Sequence, residues 1–242
     1  MLKLINGEIY RLLHKKSTYI YFGIVLAGYF LLAFMQSGGF NAESVVSDAG
    51  TYFNFLPALA GGFLFTAIYT DDLNAKNLIT LVGYGLSKTK IILAKFILMA
   101  LCCALFFGLM PLFHDACYLI LGHGATARQL GTVYAISLQS ALLTLAFATL
   151  SGIVVYGLQR TTFAVVAYIL LAFSVINTLL TAILKLLKLH LQDHLVSGIA
   201  TRVFVAVAGH GSIARPLIEY SAYIIVALVL SVLVFRRKEM EF

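Results

Sequence analysis

The chemistry open to this chain lies in its histidines, in a few lone charges inside apolar runs, and in three glycine-bearing basic loops. His190 and His194 stand four residues apart, on one face of a helix, with Asp193 beside them; that spacing can hold a metal ion. No third ligand comes from the same stretch, so no metal site is expected, and His190, His194 and His210 remain weak candidates. A short repeat accompanies them. Gly122-His123-Gly124-Ala125-Thr126-Ala127-Arg128 resembles Gly209-His210-Gly211-Ser212-Ile213-Ala214-Arg215, each copy ahead of an apolar run. It could bind an anionic or peptidic group. Its plainer reading is turn chemistry: glycines make the turn, Thr126 or Ser212 caps the next helix, and the arginine anchors at headgroups. Glu219 has Arg215 one turn earlier, which makes a local ion pair the default and a substrate role the alternative. Asn177, Phe53, Phe55, Phe63 and Phe65 could line a path for amphipathic cargo, although packing against neighbours is the commoner use of such residues.

Several chemistries are excluded. Gly83-Tyr84-Gly85-Leu86-Ser87-Lys88-Thr89 is glycine-bearing and basic, but it lacks the G-x-x-x-x-G-K-[ST] spacing that cradles phosphates, so the chain has no ATP site of its own. No H-E-x-x-H occurs, and no pair of apolar runs carries matched acids, so an enzyme is not expected. Cys102 and Cys103 are adjacent and Cys117 stands apart, which predicts no disulfide.

These residues sit on a chain built for lipid. Of 242 residues, 61% are hydrophobic and 11% charged, with a mean hydropathy of +0.96; soluble domains have about 25% charged residues. Six stretches are long and apolar enough to cross a bilayer: 17–36, 52–70, 91–112, 130–157, 162–184 and 217–235. Lipid leaves an open backbone no partner, so each must be helical. The expected fold is therefore an all-α integral membrane protein with six transmembrane helices in one domain, 1–242. Ionisable residues are nearly absent from mid-span, which counts against an ion-coupled carrier. Basic residues set the orientation. Lys3, Arg11, Lys15, Lys16, Lys76, Lys88, Lys90, Lys95, Arg160, Arg236, Arg237 and Lys238 fall on one side, with Lys95 snorkelling to it. Only Arg128, Lys185, Lys188, Arg202 and Arg215 fall on the other. The bias predicts a multi-pass protein of the cell membrane with both termini cytoplasmic. The net charge of +7 thus serves topology rather than nucleic-acid binding.

Three further segments have character. Residues 1–16 read as an amphipathic helix in the headgroup layer, with Leu2, Ile5, Ile9 and Leu12 at helical spacing and Glu8 and Arg11 among the polar positions. The inner loop 71–88 reads as a short helix along the cytoplasmic face. Asp71 and Asp72 favour its N-terminus, Leu78 and Leu81 lie in its apolar part, Gly83 and Gly85 can end it, and Ser87 can cap the next span. The outer loop 185–216 is long and apolar enough for a re-entrant or interfacial helix pair.

This order resembles the permease subunits of type-2 ABC exporters, especially the small ones of lantibiotic immunity, bacitracin resistance and peptide export. The resemblance rests on the basic amphipathic start with Glu8 and Arg11, the segment Lys76-Asn77-Leu78-Ile79 through Gly83-Tyr84-Gly85-Leu86-Ser87-Lys88-Thr89-Lys90, Lys95 in the third span, and the close Phe235-Arg236-Arg237-Lys238. Where the family has a glutamate and a Gly-Thr pair, this chain has Asp71-Asp72 and Ala75-Lys76. The resemblance implies that 71–88 is the coupling helix, with Asp71, Asp72, Lys76, Asn77, Leu78, Leu81, Tyr84, Ser87 and Lys88 facing a separate cytoplasmic ATPase. Ile5, Glu8, Ile9, Arg11 and Leu12 of the interfacial helix would support it. It further implies a second permease copy or a similar permease, ATP and magnesium on the ATPase alone, and peptide as the cargo class. The rival readings are an ion-coupled transporter or channel and a subunit that sequesters a toxin.

Overall fold

The computed structural model describes residues 2–37, 44–74, 77–121, 126–189, 191–208 and 212–237. Among them every regular element is helical. The helices are α1 (Leu2–His14), α2 (Lys16–Ser37), α3 (Val45–Phe65), α4 (Asp71–Asn74), α5 (Asn77–Gly83), α6 (Lys88–Leu121), α7 (Ala127–Leu158), α8 (Thr161–Ala172), α9 (Val175–Leu186), α10 (Val196–Val207) and α11 (Ala214–Arg237). A wide helical turn, Thr66–Thr70, joins α3 to α4, and a short 3-10 turn, Gln192–His194, precedes α10.

Four stretches are long and apolar enough to cross a membrane: Val45–Thr70, Lys88–Ile120, Ala127–Leu158 and Ala214–Arg237. A fifth is reached if α8 and α9, bent by 61° at their junction, count as one. The apolar part of α2, Lys16–Leu32, falls among the shorter apolar helices. These helices fit a membrane protein. The expected span 162–184 coincides with the bent pair α8–α9: the chain breaks at Phe173–Ser174, where Ser174 takes the left-handed conformation (φ 58°). The apolar run continues through the break without proline or glycine, so nothing in its composition marks it. Part of the expected outer loop is ordered as α10, whose Ile199, Ala200 and Val203 are buried against the bundle.

Helix α7 is the centre, packing on α3, α6, α8, α10 and α11. A capping box starts it: Thr126 accepts from the Gln129 N–H while the Gln129 side chain accepts from the Thr126 N–H at 2.8 Å. Its buried face carries Ser137, Ser140, Thr144, Thr149 and Ser151. Two of these serines answer a problem set by proline. Pro57 lies inside α3 and Pro111 inside α6. Each lacks an N–H, so the carbonyl four residues earlier loses its helical donor. Those carbonyls belong to Phe53 and Phe107. Ser140 Oγ donates to the Phe53 carbonyl at 2.8 Å, and Ser137 Oγ donates to the Phe107 carbonyl at 2.5 Å. Three residues apart on α7, the serines supply both missing bonds, since lipid cannot.

A testable consequence follows. Ser137→Ala and Ser140→Ala each strand a buried carbonyl and are expected to cost about 1 kcal/mol apiece. Thermal unfolding of the purified protein in mild detergent measures it. Unchanged unfolding in the double variant would show that the carbonyls find other donors.

Candidate functional site

The charged residues of the N-terminal segment meet at one end of the bundle. Helix α1 buries Ile5 and Leu12 against protein, with Ile9 packed beside them, while Tyr10 and Leu13 stay exposed. This turns Glu8 and Arg11 toward the spans. Glu8 Oε1 lies 2.9 Å from Lys95 Nζ, and Glu8 Oε2 lies 2.7 Å from Arg11 Nη2. Lys95 is only 2% exposed, so the expectation that it snorkels to water is corrected. The ammonium stays inside because α1 closes over it and supplies a carboxylate.

Arg11 reaches further. Its Nη2 donates to the Ala67 carbonyl at 2.9 Å, within the wide turn Thr66–Thr70. There the helical ladder shifts to Asp71 N–H bonding the Thr66 carbonyl, five residues back. Such turns interrupt the α-helical ladder and occur often at functional positions. Lys15 Nζ pairs with Asp71 Oδ2 just beyond. Asp71 does not begin a free helix, contrary to the expected N-terminal placement of Asp71 and Asp72, because α3 runs into α4 through the wide turn. Its charge is answered by α1 instead.

Beyond α4 the described chain resumes as the short helix α5. Asn77, Leu78 and Leu81 lie in α5, which ends where Gly85 N–H donates to the Val82 carbonyl (2.9 Å) and Leu86 N–H to the Leu81 carbonyl (3.2 Å). Gly85 sits at φ 79°, the left-handed position that such a helix stop requires and glycine adopts without strain. Ser87 caps α6, with Lys90 N–H reaching Ser87 Oγ at 3.4 Å. Tyr84, at the tip, is 82% exposed. Lys76 lies outside the described residues. The end of α11 closes the ring: Lys88 Nζ donates to the Phe235 carbonyl at 2.9 Å and lies over its ring, and Arg236 Nη2 donates to Thr89 Oγ1 at 3.1 Å. Leu73 shares a cavity with Gln159 and Arg160 at the α7–α8 turn.

The other candidates disperse. Phe63, stacked on Tyr21, and Phe65, stacked on Tyr168, line one cavity of about 340 Å³, while Phe53 is in the core and Phe55 faces outward, so the four phenylalanines do not form a single surface. Asn177 lies on α9, which buries none of its residues. Glu219 binds Arg215 Nε at 3.2 Å, and it also gathers Arg202 of α10 and His194 Nδ1 (3.1 Å). That cluster fastens α10 to α11. His190 and His210 lie outside the described residues; among the described residues no group of three or more His, Cys, Asp or Glu could hold a metal. The three cysteines are free.

One cluster escaped the sequence reading. Asp48 near the start of α3 and His114, Asp115 and Tyr118 near the end of α6 are all buried. Tyr118 Oη donates to Asp48 Oδ2, His114 stacks on Tyr118 with centroids 4.7 Å apart, and His114 Nδ1 lies 3.4 Å from Asp115 Oδ1. Together with Lys95 these are buried ionisable groups near the helix ends, a region that the expectation about mid-span did not cover. The helices run further than the expected spans 52–70 and 91–112, which left Asp48 and His114 in loops. A partial signal was available: Asp48 follows Val45-Val46-Ser47 and precedes Ala49, and His114-Asp115 stand between Phe113 and Ala116.

Compared with known proteins, the chain matches no family model and no curated protein.

Proposed function

We propose that this chain is the membrane-spanning permease subunit of an ATP-driven exporter, moving an amphipathic cargo outward by alternating access while a separate ATPase subunit hydrolyses ATP. The observation that carries the reading is the capped knob α4–α5 between two long apolar helices. It exposes Tyr84 at its tip and is tied through Lys15–Asp71 and Arg11–Ala67 to α1. A projection bound to the spans by charge is what a soluble motor needs in order to pull on them. Only a ligand that favours one state over the other drives such a change, and ATP on the partner subunit has that role.

In this reading the six spans are α2, α3, α6, α7, the bent pair α8–α9, and α11. Arg11, Lys15, Lys16, Lys88, Lys90, Lys95, Arg160, Arg236 and Arg237 gather at the end carrying α1, which supports that end as cytoplasmic. A second copy or a similar permease completes the pathway, and peptide is the preferred cargo class.

The test is affinity capture of the tagged chain from native membranes, with mass spectrometry of what accompanies it. An ATPase is expected with the unaltered chain, reduced with Tyr84→Arg, and lost when 71–88 becomes a Gly/Ser linker. Capture of no ATPase after cross-linking overturns the reading. A second reading, ion-coupled transport, is favoured by the buried Asp48–Tyr118–His114–Asp115 cluster. It requires cargo flux in proteoliposomes under an ion gradient without ATP.

A further inference from the structure

Helices α1, α2, α3 and α6 enclose a groove of about 410 Å³. Its walls include Leu13, Phe22, Leu26, Phe63, Leu105 and Phe106. The single lining hydroxyl, Thr18, is already committed, its Oγ1 donating to the Leu12 carbonyl at 2.9 Å. The groove therefore offers a ligand hydrocarbon contacts only. It follows α6 from Cys102 to Phe113, which is about 16 Å at 1.5 Å per residue. That is roughly half of the ~30 Å hydrocarbon core, the depth of one leaflet.

One end of the groove reaches Leu12, Leu13 and Thr18, at the corner where α1 meets α2. The cations of this corner are not equivalent. Arg11 is held by Glu8 and the Ala67 carbonyl, and Lys15 by Asp71. Lys16 is exposed and has no carboxylate partner among the described residues. It is also the first residue of α2, so the positive end of that helix's dipole faces the same corner. A hydrocarbon slot one leaflet deep, with an uncommitted cation and a helix N-terminus at its mouth, has the charge pattern of one ligand class.

We infer that this groove is a binding site for an anionic glycerophospholipid, one acyl chain lying along α6 and the phosphate at Lys16. Because Leu12 and Leu13 of α1 form one wall, the bound lipid braces α1 against α3 and α6, where Glu8 and Arg11 make their contacts. The inference needs a bilayer around the helices and is independent of any ATPase.

The chain contains no tryptophan, so an introduced one is the sole indole reporter. Phe22→Trp places it on the groove wall, where Phe22 is 39% exposed. Ile225→Trp places it on α11 away from the groove, at a site 60% exposed. Each variant is reconstituted in phosphatidylcholine bilayers with graded fractions of brominated phosphatidylglycerol or brominated phosphatidylcholine, whose chains quench the indole on contact. Phe22→Trp is expected to be quenched by phosphatidylglycerol at a several-fold lower fraction than by phosphatidylcholine. Ile225→Trp is expected to show no preference, and Lys16→Gln is expected to abolish the preference at Phe22→Trp. Equal quenching by both lipids at Phe22→Trp would reduce the groove to ordinary boundary lipid and overturn the site. A preference that survives Lys16→Gln would overturn the assigned headgroup contact. Quenching by neither lipid would mean that protein fills the groove. Leu109→Trp on the opposite wall takes the place of Phe22→Trp if that variant does not fold.

Discussion

Glu8→Ala is expected to weaken the α1 end of the bundle by about 3–5 kcal/mol, the cost of removing one partner from a buried ion pair. The carboxylate serves two cations at once, Lys95 at 2.9 Å and Arg11 at 2.7 Å. Arg11 keeps the Ala67 carbonyl and can turn toward water. Lys95 cannot, because it is buried within α6 beneath α1. The loss therefore falls on a buried ammonium deprived of its carboxylate, and α1 lifts away to let water reach it. Protease accessibility of residues 2–14, together with thermal unfolding in mild detergent, measures both effects. The diagnostic variant is Glu8→Gln with Lys95→Met, which removes the charges together. It is expected to recover most of the stability, since replacing a buried pair with apolar groups is often neutral. If it instead behaves as badly as Glu8→Ala, packing of α1 and not the charge pair holds this end.

Gly61→Ala carries the second large effect. A Cβ there would lie 2.1 Å from Tyr168 Oη and 2.7 Å from Thr144 Cγ2. Glycine at this position lets α3, α7 and α8 meet, which is how small residues serve helix packing in membranes. The Tyr168 hydroxyl donates to the Pro57 carbonyl at 2.6 Å, and its ring stacks on Phe65 with centroids 4.8 Å apart. An added methyl forces the ring aside and breaks both contacts, at a cost of about 2–4 kcal/mol from overpacking and one lost hydrogen bond. Tyr168→Phe with Thr144→Ser removes the two clashing groups. In that background Gly61→Ala is expected to cost much less than it does alone, and the difference is the coupling that a mutant cycle reads. Additive effects in thermal unfolding would show that the three helices have room to part.

What the sequence made legible was local. Apolar runs marked the long helices, Gly85 and Ser87 marked the knob's end and the next helix's start, and Ile5, Ile9 and Leu12 marked the buried face of α1. What stayed hidden were partnerships across the chain. Glu8 meets Lys95 across 87 positions of sequence, as Ser140 meets Phe53 across the same separation. Apolar periodicity reports which face of a helix is covered, not by which neighbour. The bend at Ser174 escaped for a different reason: serine in the left-handed conformation leaves no compositional mark of the kind glycine leaves at Gly85. Asp48 and Asp115 were visible as acids close to apolar runs, yet starting one span too late and ending the other too early left both in loops.

The serines of α7 have a mechanical consequence. Pro57 leaves the Phe53 carbonyl without its helical donor, and lipid offers no other. Ser140 Oγ lies within reach of two acceptors, the Phe53 carbonyl across the interface at 2.8 Å and the Ile136 carbonyl of its own helix at 3.1 Å. Its hydroxyl can pass from one to the other without ever being unbonded. Turning from the first acceptor to the second would release α3 from α7 beside its proline, so this one hydroxyl sets how firmly the two helices are coupled there.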